Sequence, residues 1–246
     1  MTRVDETPKE AARRLADGAI RDGFKPQALH EYHSHDGSPI FWRIRLKHPE
    51  NGDKWIRPMK LNGQGYVLGE PEFPNGKPLY CLHELVTRLD AYVYVMEGET
   101  CVDTLAKLGM LATTSGAADS AGKADWAILA GRAVIIWPDN DEAGRRYAET
   151  VADILLGLGC SVRMIDVAAL NLPPKGDVVD WLASHPGASG VTITALPTIE
   201  AAKSLVALPQ SPNEEEPGGQ DWPEPQPLPD GLPPWRPSTS PCCLTP

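Results

Sequence analysis

The sequence predicts an α/β fold: a parallel sheet flanked by helices, preceded by a small helix and an antiparallel β region, and followed by a Pro-rich tail. Three observations carry that expectation. Between residues 91 and 187, short apolar runs alternate with helical periods; between 38 and 70 the apolar period is two; and beyond Leu208 twelve of the 25 prolines gather around Glu214, Glu215 and Glu216. A chain of 246 residues buries a core without needing disulfides or metal.

The first helix has a written start. Thr7 is its N-cap, Pro8 opens the first turn, and Glu10 supplies the returning carboxylate of a capping box, so the helix should run to about Asp17. Further on, Trp42, Ile44 and Leu46 alternate with Arg43 and Arg45, which is strand spacing. Asn51 and Gly52 make a turn, and residues 54–61 return as a second strand. The resulting small sheet carries Arg43, Arg45, Arg57 and Lys60, either as a solvated face or as a surface for nucleic-acid phosphate. His30, His33 and His35 beside Asp36 are read as a loop entering that sheet. No cysteine or second histidine cluster lies nearby to close a tetrahedron, so no zinc is expected.

From Ala91 the alternation begins. Residues 92–96 are a strand buried on both faces, 100–108 a helix ended by Gly109, 110–114 a strand reaching Ser115 and Gly116, and 123–130 a short helix. Residues 133–137 are the third strand. The long helix over 142–158 has Tyr147, Val151, Leu155 and Leu158 as its buried stripe, and 161–167 is the fourth strand. Such alternation implies right-handed crossovers and a parallel sheet covered on both sides.

Net charge is −10, which at first sight argues against nucleic acid, but its distribution matters more than its sum. Residues 1–90 are nearly balanced, whereas 91–190 carry 13 acidic against 7 basic residues. Five cysteines without a CxxC pair, and no N-terminal apolar segment, suit a reducing cytoplasm; no run is long enough to span a membrane. Cys242 and Cys243 are read as incidental.

In open parallel sheets, sites form beyond the carboxyl ends of the strands. Here those ends carry acid: Glu97-Gly98-Glu99 after the first strand, Asp139-Asn140-Asp141 after the third, and Asp177 with Asp180 later. Three acidic groups converging on one edge need cations to neutralise them, and hard oxygen ligands suit Mg²⁺ or Mn²⁺. Gly98 permits a sharp exit from its strand, and Gly116 permits close backbone approach to a ligand.

A glutamate after the first strand and a D-x-D after the third resemble the signature of the Toprim domain, over about 95 residues. The resemblance implies that Glu97, Asp139 and Asp141 form a catalytic Mg²⁺ site, with Glu97 as general acid or base in nucleotidyl transfer or strand cleavage. Asp177 and Asp180 look like further acidic positions of primase-type members. Gly144 and the long helix after the D-x-D are also usual there. The zinc-binding module of replicative primases has no counterpart in residues 1–90. Instead Tyr32, Asp36, Gly37 and residues 42–45 resemble the segment preceding Toprim in plasmid and phage primase-helicases, and residues 221–234 resemble their linker. Gly116 to Lys123 fails the Walker A pattern because Ala124 stands where Ser or Thr should.

The expectation is therefore a DNA primase-like nucleotidyltransferase, truncated before a helicase-like region. It would act on single-stranded DNA with ribonucleoside triphosphates, with a replicative helicase as a candidate partner and no membrane. A Toprim nuclease and a non-catalytic DNA- or partner-binding module are the competing readings. The boundaries are 1–90 for the primase-associated region, 91–187 for the catalytic domain, 188–208 for a short α/β extension and 209–246 for a disordered tail.

Overall fold

The computed structural model describes residues 6–117 and 119–201, so the proposed tail with Cys242 and Cys243 lies outside the described residues. Helix α1 (Pro8–Leu15) starts where its cap predicts: Thr7 Oγ1 accepts from the Glu10 amide, and the Glu10 carboxylate accepts from the Thr7 amide at 2.9 Å. With the short α2 (Asp17–Arg21) it lays Ala11, Ala12, Ala16 and Ala19 on Trp42, Ile44, Leu46 and Met59. Alanine at these positions lets helix and sheet approach closely.

Beneath them runs an antiparallel meander of β1 (Lys25–His33), β2 (Pro39–Lys47), β3 (Lys54–Asn62) and β4 (Gly65–Leu68), paired in that order. The loop expected around His30 and His33 is corrected, since both lie on β1. That strand hides its period because its buried positions are His30 and Tyr32 rather than aliphatics. The register also divides the expected basic surface. Arg43 pairs with Pro58, Arg45 with Ile56 and Lys47 with Lys54, whereas Arg57 pairs with Ile44. Directly opposed residues share a face. Arg57 therefore stands on the helix side, over Trp55, and Arg43, Arg45, Lys47 and Lys54 stand on the other.

After α3 (Leu82–Thr87), for which the pattern held no clear signal, comes the α/β part. Its elements are β5 (Val93–Val95), α4 (Glu99–Ala106), β6 (Ala112–Thr113), β7 (Ala133–Ile136), α5 (Glu142–Gly157), β8 (Ser161–Ile165), α6 (Val178–Ser184), α7 (Gly190–Thr194) and β9 (Thr198–Glu200). The sheet order is β6-β5-β7-β8-β9; the first four strands pair in parallel and β9 closes the edge antiparallel. Helix α5 presses Tyr147, Val151 and Leu155 onto Val93, Val95, Val134, Ile136 and Val162. Each such large side chain contributes about 2 kcal/mol of burial. The opposite face of the sheet, with Tyr94, Met96, Trp137 and Ile165, is covered by α4 and α6 and meets Tyr32 and Phe41 of the meander.

The helix expected at 123–130 is replaced by two 3-10 turns, Ala121–Lys123 and Ala127–Leu129. The intervening backbone is engaged elsewhere: the Lys77 amide donates to the Lys123 carbonyl and the Asp125 amide to the Lys77 carbonyl, each at 2.8 Å. Buried Trp126 donates its indole N–H to the Ala121 carbonyl at 2.7 Å. A continuous helix would forfeit these bonds.

Candidate metal centre

Each acidic group reaches the same sheet edge by a different device. Glu97 leaves β5 just before the Gly98 cap of α4. Asp139 follows β7 through Trp137 and Pro138, and Asp141 caps α5, accepting from the Gly144 amide through Oδ1 at 2.8 Å. Asp177 caps α6, its Oδ1 accepting from the Val179 and Asp180 amides. Asp141 and Asp177 thus each spend one oxygen on a helix N-terminus.

Two local features bring these segments together. Asn140 stitches its loop to the one before α6: its amide donates to the Gly176 carbonyl at 2.8 Å, its side chain donates to the Leu172 carbonyl at 2.9 Å, and its carbonyl accepts from the Lys175 amide at 2.9 Å. Gly144 lets α5 dock, because a Cβ there would stand 2.5 Å from the Asp139 carbonyl oxygen.

The electrostatics record the convergence. Burial pushes the Asp139 carboxyl up to about 7, reinforced by Glu97, Asp177 and Asp141. Glu97 is raised by burial, then by Asp141 and Asp177. Its Oε2 is buried and has no hydrogen-bond partner. Lys54 offsets part of the repulsion at both residues. The Cys101 sulfur and one oxygen each of Asp139 and Asp177 lie within 4.8 Å of one another. The thiol donates to Asp177 Oδ2 at 3.4 Å, and burial followed by these two carboxylates drives its pKa far above the ordinary thiol value. It is a neutral hydrogen-bond donor, so the donor set is one of hard oxygens. An orphaned buried oxygen and a proton-retaining aspartate are what a divalent cation such as Mg²⁺ would resolve, and the residues fit one.

Asp180 has a different use. It is exposed, and its Oδ2 accepts from the Asp177 amide at 3.0 Å, which closes the capping box of α6. Among the expected basic contacts, Arg45 lies near Cys101 at the cluster's rim, acting on that thiol by its charge. Lys60 donates to the Glu70 carbonyl at 3.1 Å. Arg43 turns inward: its guanidinium bonds Glu99 at 2.7 Å and also the Gly116 carbonyl. Gly116 has φ +106, and a Cβ there would strike Arg43, so the close approach that this glycine permits is to an arginine of the same chain. Sequence reasoning missed Lys54 and Cys101. Cys101 lies four residues after Glu97, a signal that was available, whereas Lys54 comes near only through the packing of the two sheets.

Residues 94–182 match the Toprim-like family model. This Toprim-like segment contains all four clustered carboxylates. No curated protein matches the chain. Among solved structures it is similar to a DNA primase domain from Pseudomonas aeruginosa, with a TM-score of 0.47 and 20% identity, over 70% of this chain and 51% of that one. The zinc-binding and RNA polymerase domains of the Aquifex aeolicus primase give 0.45 and 14%, over 78% and 54%. A DnaG catalytic core gives 0.41 and 18%, over 74% and 57%. The chain therefore spans about half the length of these proteins.

Proposed function

We propose that this chain is a DNA primase-like nucleotidyltransferase whose Mg²⁺ or Mn²⁺ centre is formed by Glu97, Asp139, Asp141 and Asp177. The observation that carries the reading is the buried, orphaned Glu97 Oε2 on a side chain electrostatically coupled to a carboxylate cluster in which Asp139 is raised to about 7. A divalent cation bound there would neutralise the cluster and stabilise charge on a nucleotide's phosphates. Glu97, with a raised pKa and a free oxygen, is poised to accept or return a proton. Arg45 and Lys54, on the rim contributed by the meander, supply cations for phosphate of the template or the incoming ribonucleotide. Asp180 acts through the cap of α6 rather than as a ligand.

Plasmid or phage replication as the setting rests on the resemblance of Tyr32, Asp36, Gly37 and residues 42–45 to the segment preceding Toprim in such primases. One observation favours the binding-only reading: Asp141 and Asp177 already have structural work as helix caps. Incorporation of labelled ribonucleotides on single-stranded DNA with Mg²⁺ or Mn²⁺, run beside a nuclease assay on the same template, decides among the three. Metal-dependent incorporation is expected. Template degradation would replace primase by nuclease, and DNA binding without turnover in any metal would leave a non-catalytic module.

A further inference from the structure

Arg43 and Glu99 form a buried pair for which the reaction described above has no use. Their side chains are 17% and 4% exposed. Glu99 Oε1 accepts from Arg43 Nη1 and from the Tyr32 hydroxyl, both at 2.7 Å. Tyr32 and Arg43 belong to the meander, and Glu99 is the first residue of α4. Burial alone would raise the Glu99 carboxyl, but the Arg43 charge and the two hydrogen bonds hold it below the ordinary carboxylate value.

Between this anchor and the metal cluster lies the turn Glu97-Gly98-Glu99. Gly98 itself meets open space, since a Cβ there would find nothing within 4 Å, and hydrogen bonds hold the turn on either side. Upstream, the Glu97 carbonyl accepts from Thr114 Oγ1 at 2.9 Å, and the Met96 carbonyl accepts from the Tyr147 hydroxyl at 3.1 Å. Thr114 Oγ1 in turn accepts from the Gly116 amide at 2.9 Å, and the Gly116 carbonyl accepts from Arg43. One guanidinium therefore grips both ends: Glu99 directly, and Glu97 through Gly116 and Thr114.

We infer that Arg43 is a positioning residue, which with Glu99 fixes the turn that aims the Glu97 carboxylate into the cluster. The meander thus helps to build the metal centre, and Arg43 is not one of its nucleic-acid contacts. The inference rests on the reading of Glu97 as a metal ligand.

The test uses the full chain with Arg43→Met, Glu97→Gln and the charge-neutral pair Arg43→Met with Glu99→Gln, which keeps the question open to measurement if the single Arg43 variant does not fold. Calorimetry gives Mn²⁺ affinity, and anisotropy gives the salt dependence of single-stranded DNA binding. Arg43→Met and the double variant should lower Mn²⁺ affinity by roughly tenfold, as outer supports of metal ligands do, with an unchanged salt slope. Normal Mn²⁺ affinity in the folded variants overturns the positioning role, and so does a salt slope reduced by about one, which would make Arg43 a phosphate contact. If Glu97→Gln leaves Mn²⁺ affinity intact, the metal reading itself fails and the inference falls with it. A loss in Glu97→Gln but not in the Arg43 variants removes the inference alone.

Discussion

Glu97 and Glu99 are separated by one glycine, yet their surroundings are opposite. Glu99 is the more deeply buried, and it is matched by a guanidinium and a tyrosine hydroxyl. Glu97 is half-buried among three other carboxylates, with one oxygen that no hydrogen bond reaches. Burial alone thus does not separate structural from functional acids. The difference is whether the protein itself satisfies the charge: a matched carboxylate holds elements together, and an unmatched cluster stores repulsion that an external cation would relieve.

Activity should respond most strongly. Asp139→Asn keeps volume and removes charge, so metal-dependent nucleotidyl transfer should fall by roughly 10²-fold or more while the fold persists. Retained incorporation by that variant would remove Asp139 from the centre. Stability gives the next contrast. Glu99→Leu leaves Arg43 charged and unpaired in the interior and should cost about 3 kcal/mol or more in urea denaturation. Glu97→Gln, which relieves repulsion, should stabilise the metal-free protein by up to about 1 kcal/mol. Equal losses in the two variants would erase the distinction drawn here.

The unmatched cluster should also show in a pH titration. Asp139 has an ordinary value of 3.8 and a folded value of about 7, so across that window the folded protein keeps a proton that the unfolded chain has released. Metal-free stability should therefore be highest at low pH in this window, decline as pH rises from about 4 to 7, and level off above. The change between pH 5 and 8 should be about 2–3 kcal/mol. Mn²⁺ affinity should rise over the same window, because the ion displaces that proton. A flat melting profile without metal would mean that the cluster is well solvated. The rim should respond more weakly. Lys54→Ala should weaken single-stranded DNA binding uniformly across sequences and lower its salt slope by about one.

The α/β part was legible because its signals are local. The apolar runs of β5, β7 and β8, the stripe of α5 and the acids after the strands follow from period and position. The capping box of α1 reads directly from Thr7, Pro8 and Glu10. Features that depend on packing between distant segments stayed hidden. Strand β1 buries His30 and Tyr32, which carry no aliphatic alternation, and the segment after Gly116 exchanges helical bonds for a bridge to Lys77. Counting cations could not reveal that register puts Arg57 on one face and Arg45 on the other, or that Arg43 has a partner 56 residues away.

That separation bears on the order of assembly. The meander pairs each strand with its neighbour in the chain, through short closures, so its contacts cost little loop-closure entropy. The parallel sheet must wait for its crossovers. Without Glu99 and Gly116, Arg43 would be a solvated cation beside the aromatic surface of Tyr32 and Phe41. Docking of the second sheet is then the step that desolvates the arginine. An interface with a fixed charge at its centre tolerates one counter-ion and few substitutes, so the event that completes the fold also selects against misassembled pairings of the two halves.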